Sequence, residues 1–288
     1  MKTSVSSYSF ASMMMKYGDT HLTIIEKAKN IGFDAIEFTD LDVPEGQTEL
    51  EYAKAIKAEA QRVGLEISGY SISADLLSGS GGDLDKEIER IKAKIDVAEA
   101  LGTKLVRHDA TFSFLNNKRG YNGFVNVLDR LAYGCREITQ YAKSKGIRTA
   151  VENHGFFCQD SDRIELLVNT VADENFGIQL DMGNFLCVDE NPATAVGRCA
   201  PYAFNLHAKD FIFKNGEEGY PGAGFMQTRG GNFIRGTVLG HGIVPIKQCI
   251  SIMKSNGYDG YITLEFEGVE DLNFALQQGF VYMKTHCC

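Results

Sequence analysis

Apolar and polar positions fall into two alternating rhythms along the chain. Stretches with apolar residues three and four apart give way, after a glycine, to short apolar runs rich in β-branched residues. The unit is seen as Lys29-Asn30-Ile31-Gly32 before Asp34-Ala35-Ile36-Glu37-Phe38. It returns at Gly64 before Leu65-Glu66-Ile67, at Gly102 before Lys104-Leu105-Val106, at Gly146 before Arg148-Thr149-Ala150-Val151, and at Gly257 before Tyr261-Ile262-Thr263-Leu264. The glycine suits the left-handed turn that ends a helix. The run after it reads as a strand buried beneath helices. The pattern predicts strands near 3–8, 34–39, 66–71, 104–108, 148–152, 176–181, 203–208 and 261–266. It predicts helices near 20–31, 48–63, 83–101, 121–145, 161–172, 192–199, 245–256 and 269–285. The clearest is 83–101, where Leu84, Ile88, Ile91 and Ile95 stripe one face. Met13, Met14 and Met15 read as packing in the first loop.

Strict β/α alternation implies parallel strands, and eight units imply a single closed (β/α)8 TIM barrel over residues 1–288. The one long interruption, 211–243, is rich in glycine and aromatics and follows strand seven. Active sites are built on that end of a barrel, so this segment is expected to be a loop that covers the substrate.

Four clusters at strand ends carry candidate chemistry: Val151-Glu152-Asn153-His154, Leu180-Asp181-Met182-Gly183-Asn184, Leu206-His207-Ala208-Lys209-Asp210 and Leu264-Glu265-Phe266-Glu267. Glu152, Asp181, His207 and Glu265 form a mixed oxygen and nitrogen set suited to one divalent ion: Mn²⁺, or else Zn²⁺, Co²⁺, Fe²⁺ or Mg²⁺. Buried acids need such compensation. Glu267 competes in register with Glu265, and Asp210 competes with His207. His154, two residues beyond Glu152, is either a partner of the ligands or a base beside the metal. Arg107, His108, Asn184 and Lys209 are the candidate substrate contacts. Glu37 has the simpler reading of an ion-pair partner for Arg107.

The net charge of −9 opposes non-specific binding to nucleic acid. No apolar stretch is long enough to span a membrane, and the N-terminus lacks a signal-peptide layout. The seven scattered cysteines have no C-x-x-C spacing and read as reduced thiols of a cytoplasmic protein.

The Glu-Asp-His-Glu series, with Leu239-Gly240-His241-Gly242, resembles the xylose-isomerase-like barrels, in particular the sugar phosphate isomerase/epimerase group. That resemblance implies a divalent-metal-dependent isomerase or epimerase for a small carbohydrate or keto-sugar. Proton abstraction next to a carbonyl would give an enediolate, with Glu152 and Glu265 as acid and base. The chain departs from the ketose 3-epimerase pattern at Asn184, where a histidine is usual, and at Phe211-Ile212-Phe213, where an arginine is usual. The Glu152-Asn153-His154 run is also similar to the metal-dependent subunit of C-glycoside deglycosidases. That similarity implies a lyase on 3-keto-glycosides with His154 as base, or an inosose-type dehydratase. It also implies a homo-oligomer or a small partner subunit. A metal nuclease and a non-catalytic sugar-binding barrel are the remaining alternatives.

Overall fold

The computed structural model describes residues 1–111 and 123–288. In chain order its elements are β1 (Lys2–Ser6), α1 (Ala11–Tyr17), α2 (His21–Ile31), β2 (Ala35–Phe38), α3 (Glu49–Val63), β3 (Glu66–Ile72), α4 (Leu84–Leu101) and β4 (Leu105–His108). There follow α5 (Phe124–Ser144), β5 (Arg148–Glu152), α6 (Ser161–Val171), β6 (Phe176–Asp181), α7 (Pro192–Cys199) and β7 (Ala203–Ala208). The chain ends with β8 (Asp210–Lys214), β9 (Met226–Gln227), β10 (Phe233–Thr237), α8 (Ile246–Ser255), β11 (Tyr261–Leu264) and α9 (Leu272–His286). The expected start of the fourth helix, at 121, lies outside the described residues.

Eight parallel strands close into a barrel in the order β1-β11-β7-β6-β5-β4-β3-β2, with β1 paired to both β11 and β2. The eight are the strands anticipated from the pattern. Helices end where the glycines stand: Gly64 (φ 69°) and Gly102 (φ 82°) are left-handed and return their N–H groups to the last helical carbonyls. Thr48 and Glu51 form a reciprocal cap at the start of α3.

Strand parity sets what faces the barrel axis. Ile36, Phe38, Val106, Val151, Ile178, Leu180, Leu206 and Leu264 pack under the helices in the apolar core. Their neighbours point inward and are polar: Glu37, Arg107, Glu152, Gln179, Asp181, Asn205 and His207 are all buried.

Three expectations are corrected. The Met13–Met15 stretch lies in a helix, α1, rather than a loop. The 211–243 segment is not irregular: β8, β10 and β9 make a three-stranded antiparallel sheet. Asp210 anchors its base by accepting from the N–H groups of Phe211, Gly240, Gly242 and Val244, and is not a metal ligand. A side chain at 242 would put its Cβ against Asp210, which explains the glycine there.

His108 is the third. Arg107 faces inward on β4, so His108 faces outward into the helical layer. It is fully buried, tilted against Phe176 at 6.3 Å, with Nδ1–H donating to the Asp109 carbonyl at 2.9 Å. It is therefore not a substrate contact. Burial pushes its pKa down to about 4. A histidine depressed in the fold contributes stability above its unfolded pKa of about 6.5, and that contribution is lost as pH falls toward 4. We expect wild-type unfolding free energy in urea to drop by on the order of 3 kcal/mol more than that of His108→Gln between pH 6.5 and 4. Parallel pH profiles for the two proteins would show that His108 ionises as freely in the fold as outside it.

Candidate metal centre

The C-terminal ends of β5, β6, β7 and β11 bring together Glu152, Asp181, His207 and Glu265. Each offers a ligand atom, and these atoms all lie within 4.8 Å of one another. Local structure fixes each one. Asp181 Oδ1 accepts from the N–H groups of Gly183 (2.7 Å) and Asn184 (3.0 Å). Asn153 clamps the Asp181 backbone, donating to its carbonyl and accepting from its N–H, both at 2.9 Å. The Glu152 carboxylate accepts from Asn184 Nδ2 (2.9 Å) and Gln179 Nε2 (3.3 Å), and Arg107 Nε lies 2.6 Å away.

His207 is held from behind. Its Nε2 lies 2.9 Å from Glu37 Oε1, and Glu37 also accepts from Asn205 Nδ2 and Ser71 Oγ. Glu37 thus pairs with His207 and not, as anticipated, with Arg107. A carboxylate behind a histidine fixes the tautomer and makes the opposite nitrogen basic toward a metal. That nitrogen, Nδ1, is 3.6 Å from Glu265 and 3.9 Å from Asp181. His207 Nδ1 and Asp181 Oδ2 are both buried without a hydrogen-bond partner. An orphaned imidazole nitrogen in an acid-rich cluster, with Asp181 Oδ2 offset only by the Lys209 ammonium at 3.3 Å, fits a divalent cation.

Charge in the cluster is strongly perturbed. Burial and the neighbouring carboxylates raise Asp181 above the usual range, against the pull of Lys209. Burial alone would raise Glu265 as well, but Lys209 and His207 outweigh it and hold Glu265 low. The Lys209 ammonium sits 2.5 Å from Glu265, 3.3 Å from Asp181 and 3.6 Å from Glu267. It balances part of the negative charge.

Glu152, His207 and Glu265 of the cluster line a cavity of about 390 Å³, together with Tyr8, Arg107, Asp109, His154, Lys209 and Glu267. Of the candidate substrate contacts, Arg107 and Lys209 line the cavity. Asn184 does not line it. Its amide bridges Glu152 and Lys209 instead, accepting from Nζ at 3.2 Å. No residue of the β8–β10 sheet lines the cavity either. His154 does, and its Nδ1 lies 2.9 Å from Asp109 Oδ1. Burial would lower the His154 pKa, but Asp109 outweighs it and the net shift is upward. Asp109 also takes two contacts from the Arg107 guanidinium. Gln179 and Asn205 carry no expectation from the sequence, and their one signal there is polarity at the inward parity of strands that are otherwise apolar.

A closed eight-strand barrel whose strand ends converge on acids and a histidine defines a class of metal-site barrel enzymes. A profile of the xylose isomerase-like TIM barrel family matches residues 25–286, and the chain belongs to that family. An inosose dehydratase of Clostridium beijerinckii is 27% identical over 142 residues, 48% of this chain and 46% of that protein. The chain therefore matches about half the length of that curated relative. Two solved structures share the fold over nearly all of both chains. A D-psicose 3-epimerase has a TM-score of 0.75 at 15% identity, covering 100% of this chain and 99% of that one. A 3-keto-D-glucoside 4-epimerase from E. coli has a TM-score of 0.73 at 15% identity, covering 99% of each.

We expect wild-type protein to hold one divalent ion per chain, and Asp181→Ala or His207→Ala to lose it. Glu37→Gln keeps the ligands but weakens the support of His207, so metal affinity should fall about 10–100-fold. Calorimetric titration with Mn²⁺ checks all three. Unaltered affinity in Glu37→Gln would mean that His207 is not a ligand through Nδ1.

Proposed function

We propose that this chain is a divalent-metal-dependent isomerase or epimerase that removes a proton next to the carbonyl of a keto-sugar. One observation carries the reading: His207 Nδ1 is buried without a hydrogen-bond partner beside the carboxylates of Asp181 and Glu265, at a cavity whose walls hold a histidine–carboxylate pair and a lysine. Glu152, Asp181, His207 and Glu265 would hold the ion, most readily Mn²⁺. The ion supplies Lewis-acid stabilisation of negative charge developing on the substrate's carbonyl oxygen.

The chain's own residues then divide the proton transfers. Glu152 is engaged by Arg107, Asn184 and Gln179, and three donors on one carboxylate leave its oxygens little freedom to reach a substrate proton. This favours His154 over Glu152 as the base on the β5 side. Asp109 holds Nδ1 as the donor, which makes Nε2 the basic nitrogen. Glu265, paired with Lys209, approaches from β11, with β6 and β7 between the two strands on the rim. Acid and base on two sides of one carbon is what epimerisation needs. Lys209 can also donate to an oxygen of the substrate.

A second reading is dehydration. The half-length likeness to an inosose dehydratase favours it, and so does the single histidine base. After proton removal, the electron pair would expel a β-hydroxyl as water, protonated by the Lys209 ammonium.

One experiment separates the readings. Metal-loaded protein is incubated in D₂O with a panel of ketoses, 3-keto-glycosides and inosose, and the recovered compounds are analysed by proton NMR. Deuterium at the carbon next to the carbonyl, with every hydroxyl retained, is the expected result. Loss of water assigns the dehydratase, and absence of exchange in every compound removes both readings. His154→Ala should retain the metal and lose on the order of 10²–10⁴-fold in exchange rate. Full exchange in that variant would return the base role to a glutamate.

A further inference from the structure

The sheet of β8, β9 and β10 does not line the cavity, but its tip lies against the loop that carries His154. The tip, residues 228–232, joins β9 to β10 and crosses the loops that follow β5 and β6. The Arg229 N–H donates to the Cys187 carbonyl at 2.9 Å. Asp189 accepts from Thr228 Oγ1 at 2.7 Å, from Asn232 Nδ2 at 2.8 Å and from the Gly230 N–H. A Cβ at 230 would stand against the Asp189 carboxylate, so this close approach requires a glycine. With its backbone seated on the β6 loop, the tip sends the Arg229 side chain on to the β5 loop. The guanidinium takes both Asp160 oxygens, at 2.5 and 2.9 Å, and donates to the Phe156 carbonyl.

The β5 loop needs such a hold. His154 begins a tight turn that closes on Cys158. The next two residues, Gly155 (φ 79°) and Phe156 (φ 62°), are both left-handed. A phenylalanine rarely adopts that conformation, and the Phe156 ring gains little burial in return, being 43% exposed. Backbone of this kind persists only where its surroundings over-determine it. Here the Phe156 N–H donates to Gln159 Oε1 at 2.6 Å, the Phe157 carbonyl accepts from Arg163 Nη1 at 2.8 Å, and Arg229 holds the Phe156 carbonyl. Asp160 stands at the N-cap of α6, where an aspartate ordinarily accepts from the helix's own N–H groups. Its side chain makes no such bond, and is turned to Arg229 and, at 3.4 Å, to Arg163.

We propose that Arg229 clamps the turn that carries His154 and is thereby a positioning residue for the reaction. This rests on the reading of His154 as the base. Asp109 fixes the imidazole through Nδ1 at 2.9 Å, and Arg229 fixes the backbone two residues further on. The segment inserted after strand seven thus acts on the chemistry without touching the substrate.

Hydrogen exchange of backbone amides, read by mass spectrometry on magnesium-loaded protein, tests the clamp without any substrate. In Arg229→Ala the amides of 155–160 should exchange on the order of 10-fold faster, the scale of losing hydrogen bonds to a charged group. Those of α3 should not change. Arg62→Ala, which removes a two-bond pair with Glu59 on α3, should leave 155–160 as they are. Deuterium exchange into a keto-sugar then tests the consequence. Arg229→Ala should lower kcat on the order of 10–100-fold with KM and Mn²⁺ affinity held, because a displaced base costs rate rather than binding. Arg229→Lys, a point charge in place of a fork, should fall between. Added guanidinium ion should restore part of the rate of Arg229→Ala and none of that of His154→Ala. Unchanged amide exchange at 155–160 in Arg229→Ala overturns the clamp. So does a loosened turn with wild-type kcat, or a loss confined to KM. A loosened turn in a protein whose wild type exchanges no keto-sugar keeps the hold on the turn and removes the reaction reading.

Discussion

The interior of this barrel is organised around uncompensated negative charge. Glu37, Asp109, Glu152, Asp181, Glu265 and Glu267 bring six carboxylates to one end of the barrel, against two permanent cations, Arg107 and Lys209. Burying an ionised acid is costly unless charge or hydrogen bonds compensate it. Most of the inward polar residues can be understood as that compensation. Arg107 serves Asp109 and Glu152; Ser71 and Asn205 serve Glu37; the turn after β6 gives its N–H groups to Asp181. The four-residue cluster keeps three carboxylates beside an unpartnered His207 Nδ1, an arrangement that a divalent cation would complete.

The fold was legible because each β/α unit repeats the same local instructions. A striped helix, a left-handed glycine and a short apolar run at 84–108 and 124–152 leave little freedom for anything but parallel strands under helices. The ligand cluster was legible for a related reason: an acid or histidine directly after an apolar run breaks the pattern visibly at Glu152, Asp181, His207 and Glu265. The supporting residues were not. Gln179 and Asn205 sit inside apolar runs, where one polar residue looks like noise until strand parity puts both on the axis. His108 was misplaced because Arg107-His108-Asp109 offers three chemical residues in a row, while a strand can send only alternate ones inward. The sheet of β8, β9 and β10 was hidden by its glycines. These suggest an irregular loop when read singly, although Phe211-Ile212-Phe213 and Phe233-Ile234 pair across it.

Asn184 shows how one substitution could redirect such a site. Its amide nitrogen donates to Glu152 while its oxygen accepts from Lys209. The carboxamide satisfies an anion and a cation at once, which an aspartate, having no donor when ionised, cannot do. Lys209 is thereby kept at the edge of the ligand cluster. Next along the chain, Asp210 ties strand seven to the segment that leads into α8, so the lysine stands on a backbone fixed from both sides.

The pairing of His207 with Glu37 joins residues 170 positions apart. The ligands themselves come from four successive strands, the last of which closes the barrel against β1. The second half of the barrel holds the four candidate ligands, but the carboxylate behind His207 comes from β2 in the first half. During folding, full affinity for an ion would therefore arise late, when the two halves meet. Contacts this distant in sequence are slow to form. An ion that binds only the closed barrel acts as a latch on the last step and contributes nothing to the earlier ones. Early intermediates must be held by the apolar layer alone, and their half-built acidic interiors stay open to water until the ring is complete.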